Sequence, residues 1–384
     1  MEVVVAVTKS TWPLIAATLL LEHLPVCADV LPEQRADALY HSYSGGGVTV
    51  DGPSVLVLKH VGQNADVSGN YYVDTVSSAS IDVVSTASPY SEQRTQENLS
   101  VDYLHAKSTF SLGYTNSSES DYQANTANFN LSQNLFGDMT TLAMGYSRGV
   151  DTVGKNGDPT FSADLTRQNY TLGLSQIITK DLLLDASFEL VTDQGFLNNP
   201  YRSVRYLDAA SGKGYSYEPE RYPMTHTSNA LALNARYYLP YRGKLQGQYR
   251  FFTDTWGIDA HTVSLEYTQP LRDKWSLDLS YRYYTQGKAS FYSDLFLYQN
   301  AQNYLARDKE LSSFNSQSIG MELSYDFTNT NWKVINKSTL NFAYNHMLFA
   351  YKDFRDVTKG GTPGQEPLYE FSADVVQLYL SVWF

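Results

Sequence analysis

Apolar and polar residues alternate one by one along most of this chain, and the helical period of about 3.6 residues is nearly absent. In Leu277–Tyr283, leucine and tyrosine take every second position, while Asp278, Ser280 and Arg282 take the others. The pattern recurs in the segments 184–190, 231–237, 263–267 and 319–327. Successive side chains of a strand point to opposite faces, so each segment predicts a strand with one apolar and one polar face.

Charged residues on the polar face exclude a dry sandwich core, because a buried charge without a partner is costly. They suit a water-filled lumen. The inward positions of neighbouring strands give a predicted lumen charge set: Asp185, Glu189, Arg236, Arg250, Glu266, Asp278, Arg282, Glu322 and Asp326. Cross-strand neighbours lie close enough to interact, so these residues either brace the wall as ion pairs or act as a filter that favours cations.

Short and long connections alternate between the predicted strands. The short connections are 105–107, 136–138, 179–181, 241–243 and 272–274, and the long ones are 115–124, 149–160, 192–225, 287–313 and 351–367. Outer-membrane barrels have short periplasmic turns and longer extracellular loops. The alternation therefore favours a membrane barrel over a soluble sandwich.

Fifteen strands are recognisable between Ser54 and Phe384. Bacterial barrels have an even number of strands, and Ala36–Tyr43 supplies a sixteenth, followed by a first outer loop at residues 45–52. We therefore predict an all-β fold: a transmembrane antiparallel barrel of about 16 strands (range about 14–16), which forms a single domain over residues 29–384.

The chain ends on a strand with an apolar residue at every second position. These residues are Val376, Leu378, Leu380, Val382 and Phe384. The strand resembles the terminal signal by which Gram-negative barrels are passed to their insertion machinery. The resemblance implies a bacterial outer-membrane location, with outer-membrane lipid and the barrel-assembly machinery as partners.

The amino terminus has the features of a secretory signal peptide. An apolar run from Trp12 to Leu21 is followed by Val26 and Ala28 at the −3 and −1 positions, which predicts a signal peptide of residues 1–28. Cleavage there removes Cys27, the only cysteine, so the mature chain has no disulfide or cysteine-based metal site, and we predict no cofactor. A formal net charge of −12 argues against a nucleic-acid partner.

Four segments carry a closer resemblance to a known family. They are Gly45–Val57, Asn70–Tyr90, Tyr249–Thr262 and Asn300–Phe314. The chain is similar there to the bacterial family of unknown function DUF3570, and the similarity extends over roughly the whole mature chain. It implies an outer-membrane location and leaves the activity open.

Two predicted outer loops have the composition of a binding surface. Residues 196–208 and 291–311 combine tyrosine with asparagine, arginine and aspartate. Such loops either narrow the mouth, contact a partner or pack as a cap on the rim. Tryptophans near predicted strand ends favour membrane-interface girdles: Trp256, Trp275, Trp332 and Trp383.

Candidates for catalysis and metal binding are few. Asp259 and His261 share a strand face and could activate water, and His226 has two carboxylates upstream, Asp208 and Glu218. Neither set includes a third partner, and we predict no catalytic site. Loop carboxylates at Asp353 and Asp356 are the candidates for loosely bound calcium, but we predict no metal site.

The sequence thus favours a porin-like channel for a small solute or ion through a charge-lined lumen, narrowed by loops 192–225 and 287–313. The alternative is a non-conducting barrel that sleeves or displays a lipoprotein or redox partner. A hydrolase at the rim is the third hypothesis.

Overall fold

A computed structural model of the protein describes residues 31–78, 90–329 and 333–384. The predicted signal peptide of residues 1–28 and Trp332 lie outside these residues, so both interpretations stay predictions. The strands within the described residues are β1 Arg35–Gly45, β2 Val48–Val61, β3 Ala65–Ser78, β4 Tyr90–His105, β5 Ser108–Ser118, β6 Tyr122–Leu135, β7 Thr140–Gly154, β8 Ser162–Thr179, β9 Leu182–Gly195, β10 Ser203–Leu207, β11 Tyr215–Pro219, β12 Thr225–Tyr238, β13 Lys244–Asp254, β14 Asp259–Leu271, β15 Trp275–Gln286, β16 Phe314–Asp326, β17 Lys337–Arg355 and β18 Leu368–Trp383.

Sixteen of these strands form one closed antiparallel barrel, β1–β9 followed by β12–β18. The barrel closes where β1 pairs with β18, from Arg35 opposite Trp383 to Gly45 opposite Ala373. The strands β10 and β11 form a separate hairpin. The structure confirms the predicted fold class, including the sixteenth strand at the start of the barrel.

The outer face of the barrel is apolar. Leu231, Leu279 and Leu378 stay about half exposed on alternate positions of their strands, while the positions between them carry polar side chains that face the lumen. An apolar band on a closed barrel matches the hydrocarbon core of a bilayer, where every backbone group must be paired within the protein. The chain is therefore a bacterial outer-membrane β-barrel.

Two short single-turn helices lie in the loops, η1 at Lys309–Leu311 and η2 at Val357–Lys359. None of the helices formed by the described residues has the length and apolar composition to cross a bilayer. The barrel strands have 11 to 19 residues, and most of them are longer than the ~9–11 that a tilted strand needs to span the hydrocarbon core. Their extracellular ends therefore extend above the membrane and support the loops.

The five predicted short turns are confirmed, and each joins two neighbouring barrel strands. Since periplasmic turns are short in outer-membrane barrels, the side of these turns is the periplasmic one. The three longest predicted loops are also found, as residues 196–224, 287–313 and 356–367.

Two predicted loops are wrong. The segment 45–52 is a two-residue turn, because Gly46 and Gly47 adopt φ of 58° and 79°, the left-handed conformation that a tight hairpin requires. Residues 115–124 are mostly strand, and only 119–121 connect β5 to β6. There Asn125 Oδ1 accepts hydrogen bonds from the Tyr114 hydroxyl at 2.7 Å and from Asn116 Nδ2 at 2.9 Å, so polar side chains stabilise strands where composition indicates a loop.

Candidate functional site

The predicted lumen charge set lies on the polar face of β9 and β12–β16. Arg236 Nη2 lies 3.0 Å from Asp185 Oδ2, and this pair joins β12 to β9. Arg250 Nη2 on β13 reaches across β12 to Glu189 Oε2 at 3.3 Å. These two pairs lie side by side along the inner wall and join three neighbouring strands.

Three carboxylates form an acidic group near the periplasmic end of the lumen, which we call the acidic trio: Glu266, Asp278 and Glu322. Asp278 stands opposite Glu322 in the pairing of β15 with β16. Lys244 Nζ lies 2.6 Å from Glu266 Oε1, whereas Asp278 and Glu322 form no ion pair with a described residue. The trio therefore carries more negative charge than its single lysine neutralises.

Two arginines line the lumen further toward the extracellular side. The Arg282 guanidinium lies 5.6 Å from the Tyr284 ring centre, and that of Arg250 lies 5.6 Å from the Phe252 ring centre. The lumen wall thus has a basic level on the extracellular side of the acidic trio. The ninth predicted residue, Asp326, lies at the periplasmic end, where it accepts a hydrogen bond from the Thr328 backbone at 2.8 Å.

His226 lies between two carboxylates that sequence reasoning did not assign to it. Its Nδ1 is 3.3 Å from Asp193 Oδ2, and its Nε2 is 3.0 Å from Asp254 Oδ2. The candidates Asp208 and Glu218 bind elsewhere: Asp208 accepts from Ser216 within the hairpin, and Glu218 accepts from a backbone amide of the next long loop. The predicted grouping around His226 is not formed.

Asp259 and His261 do share a face of β14, and it is the outer face of the barrel. His261 Nδ1 contacts the hydroxyl of Tyr249 at 2.8 Å. The carboxylates Asp353 and Asp356 serve as acceptors for loop backbone, from Ser313 N at 2.8 Å and Thr358 N at 3.0 Å respectively. Hydrogen bonds within the fold thus account for both loop carboxylates.

Three outer loops pack together into one unit, which we call the cap: residues 196–224, 287–313 and 356–367. Arg205 of the hairpin is fully buried and binds both oxygens of Glu366, at 2.5 and 3.1 Å. It also pairs with Asp294, which in turn lies 3.0 Å from Arg307 Nη2. The four charges come from all three loops, so they fix the loops relative to one another.

An aromatic core joins the cap to the barrel. Tyr222 and Phe291 of the cap pack around Trp256, with ring centres 5.5 and 5.3 Å away. The same cluster includes Tyr284 and Tyr351, which face inward from β15 and β17. The predicted girdle position of Trp256 is therefore wrong, because this ring packs against the cap.

Within the cap, residues 287–313 extend from the top of β15 toward β1, at the seam where β1 pairs with β18. Gln286 Nε2 at the top of β15 donates to the carbonyl oxygens of Glu310 and Ser312 at 2.8 Å. Lys309 and Glu310 lie within electrostatic range of Tyr43, which faces inward from β1. A loop anchored on β15 and β16 thus reaches β1 past β17 and β18, and it covers that part of the lumen.

The terminal strand β18 presents the residues of the predicted insertion signal on the outer face. Val376, Leu378 and Leu380 are 38–48% exposed there, and Val382 is half-buried. The backbone amide of Phe384 donates to the Gln34 carbonyl at 3.2 Å. In the closed barrel, β18 pairs with β17 on one side and with β1 on the other. The use of this strand as an insertion signal stays a prediction.

Comparison with solved structures supports the same architecture. The fold is similar to a structure described as a bacterial polysaccharide outer membrane secretin, with a TM-score of 0.51 and 7% identity over 93% of this chain and 100% of that one. Weaker similarities are to OmpT, an outer membrane protein of Vibrio cholerae (TM-score 0.45, 10% identity, 92% and 97% covered), and to the CymD monoaromatic hydrocarbon channel (TM-score 0.45, 8% identity, 92% and 89% covered). At such identities the similarity shows the fold alone.

Among curated proteins, none matches this chain by sequence. A family model does match it, over residues 81–170 and 160–344, which is more than half of the chain. The family is described as "Protein of unknown function (DUF3570)", and the resemblance seen in the sequence is confirmed. This chain belongs to the DUF3570 family of outer-membrane β-barrels.

Proposed function

We propose that this barrel is a channel through which small solutes or ions diffuse, with a preference for cations. The observation that carries the proposal is the acidic trio, in which Asp278 and Glu322 face each other across neighbouring strands without a basic partner among the described residues. Two like charges at opposed positions are unfavourable in a sealed wall and tolerable beside water. They attract cations to the lumen and repel anions.

The acidic and basic residues of the lumen act on permeating cations in opposite directions. Arg250 is paired with Glu189, so its field is largely cancelled. Arg282 forms no ion pair with a carboxylate in the described part of the chain, and it opposes cation entry from the extracellular side. Over the predicted lumen set, acidic residues outnumber basic ones by two to one, and the balance therefore favours cations.

The cap narrows the extracellular mouth in this proposal. Its charged centre is buried and its aromatic core is continuous with inward residues of the wall, so the cap is held as a rigid unit. Passage then depends on the space that the cap leaves along the inner wall of the barrel. A channel of this kind excludes large solutes and admits small ones.

The experiment is single-channel recording of the purified mature chain in a planar bilayer across a potassium chloride gradient. Discrete conductance steps with a reversal potential shifted toward the potassium equilibrium potential are expected. A folded barrel without current would contradict the channel.

A second function is favoured by the cap itself. Leu297 and Tyr298 at its tip are 74% and 60% exposed, although each is apolar over most of its surface. A barrel closed by its cap would use such a tip to display or hold a lipoprotein or redox partner. Co-purification of a stoichiometric subunit that is lost with Leu297→Ser would favour this function over conduction.

A further inference from the structure

Three carboxylates meet at the extracellular end of the barrel, away from the charged centre of the cap. Glu92 belongs to β4, and Glu119 and Asp121 belong to the short connection between β5 and β6. One oxygen from each residue lies within 4.8 Å of the others. Glu119 and Asp121 are only 8% and 6% exposed.

Most of these oxygens lack a hydrogen-bond donor. Glu92 Oε1 accepts from the Ser120 backbone at 2.9 Å, and Asp121 Oδ2 accepts from the Tyr201 hydroxyl at 2.5 Å. Glu92 Oε2, Asp121 Oδ1 and both carboxylate oxygens of Glu119 have no partner among the described residues. A buried carboxylate with no donor is strongly unfavourable, so the site requires a proton or a cation.

The neighbouring charges do not meet this requirement. Arg94 is the basic residue that acts on Glu119, and its Nη2 donates to Gln96 Oε1 at 2.7 Å. Arg94 is thus directed at Gln96, and the four free carboxylate oxygens keep no hydrogen-bond donor among the described residues.

We propose that Glu92, Glu119 and Asp121 bind a divalent cation of the Ca²⁺ type. Ca²⁺ takes six to eight oxygen ligands at about 2.3–2.6 Å, so it bridges oxygens that are up to roughly 5 Å apart. Mg²⁺ binds at about 2.0–2.1 Å and would require the three side chains to move closer together. The free carboxylate oxygens supply the protein ligands, and water completes the coordination shell.

The cation would connect two parts of the extracellular surface. Asp121 is held by Tyr201 of the cap, and the same Tyr201 hydroxyl accepts from the Asn156 backbone at 2.5 Å. A cation bound at Asp121 therefore fixes the connection of β5 and β6 to the cap and to the loop between β7 and β8. This inference is independent of conduction, since it concerns binding at the outer rim.

The test is titration of Ca²⁺ into the full mature chain, refolded without lipopolysaccharide in a zwitterionic detergent. Isothermal calorimetry is expected to give one site with Kd on the order of 0.1–1 mM, the range of extracellular calcium modules. The midpoint of thermal unfolding should rise by several degrees at saturating Ca²⁺, and Mg²⁺ should bind more weakly.

Matched variants make the test specific. Glu119→Gln keeps the shape and removes the charge, so it should fold, weaken Ca²⁺ binding at least tenfold and abolish the rise in unfolding midpoint. Asp121→Asn should weaken binding in the same direction, and it decides the question if Glu119→Gln does not fold. The control Asp356→Asn changes a loop carboxylate outside the site and should bind as the parent does. Absence of binding by the parent chain, or binding by both site variants as tight as that of the parent, would overturn the proposal.

Discussion

Arg205 and Glu366 lie 161 positions apart in the chain, yet they form a two-point ion pair with N–O distances of 2.5 and 3.1 Å in the middle of the cap. Arg205 is fully buried, so water does not replace a lost partner. Removing one member of a buried pair typically costs about 3–5 kcal/mol, because the other charge stays behind. This contact therefore contributes strongly to holding the loops of the cap together.

Arg205→Met should release the cap while the barrel stays folded. Asp294 and Glu366 would lose their shared arginine, and the loops should separate at a cost to cap stability of about 3–5 kcal/mol. Limited proteolysis should then cut within 196–224 or 287–313, and single-channel conductance should increase. Arg221→Met is the control, since Arg221 is exposed and lies 3.9 Å from its nearest carboxylate. Equal protease resistance of both variants would contradict the role of Arg205.

Acid should open the cap as well. Burial alone would raise the pKa of Glu366, but hydrogen bonds from Arg205 outweigh burial and lower it below the ordinary value of 4.5. The stabilisation is therefore complete above that value and is lost as pH falls through the lowered pKa. Conductance recorded at stepwise lower pH should rise as the pH falls below 4.5 and through the lowered pKa of Glu366, and Glu366→Gln should remove this dependence.

The basic level of the lumen should limit cation flow. Arg250→Glu together with Arg282→Glu replaces two positive charges by two negative ones beside the permeation path, so cation preference should increase. The measurement is the reversal potential across a salt gradient. Changing Lys180 to Glu is the control, because its side chain is exposed on a periplasmic turn. An unchanged reversal potential in the double variant would mean that these arginines do not line the path.

The carboxylate site should make stability depend on pH when Ca²⁺ is absent. Since the pKa of Glu119 is about 8 in the folded protein and ordinarily 4.5, the folded state retains this proton in a range where the unfolded chain has released it. Stability should therefore fall as pH rises from 4.5 to 8, by an amount on the order of 2–4 kcal/mol. The groups that act on Glu119 are Arg94, Glu92, Asp121 and Asp74.

Denaturant unfolding at several pH values measures this dependence. Saturating Ca²⁺ should flatten the profile, and Glu119→Gln should flatten it without Ca²⁺. A parent chain whose stability is independent of pH across this window would contradict a buried Glu119 carboxyl with a raised pKa.

Alternation along the chain was sufficient to predict the barrel, because a strand between lipid and water repeats its pattern every second residue. Leu277–Tyr283 is an example, with Arg282 and Asp278 inward and Leu279 outward. The same rule fails where both faces are polar, as in β5 and β6 above the membrane. There the prediction of a loop at 115–124 was wrong, since Asn116 and Asn125 pair as strand residues.

The cap was beyond prediction from local pattern. Its contacts join Arg205 to residues 89 and 161 positions away, and no local sequence pattern indicates contacts over such separations. Lys244 was missed because it is the first residue of its strand, next to a turn. Glu119 was missed because it lies in a segment interpreted as an exposed loop. The sequence of such a loop does not indicate that one of its carboxylates is buried.

The acidic trio should select cations in a conducting lumen, and removing its two unpaired charges tests this role. Reversal potentials of the parent chain and of the Asp278→Asn, Glu322→Gln double variant are compared across the same potassium chloride gradient. We predict that the parent chain shows cation preference. The double variant, whose side chains keep their shape, should lose most of that preference. Identical reversal potentials, or a parent barrel that is folded and passes no current, would contradict the claim.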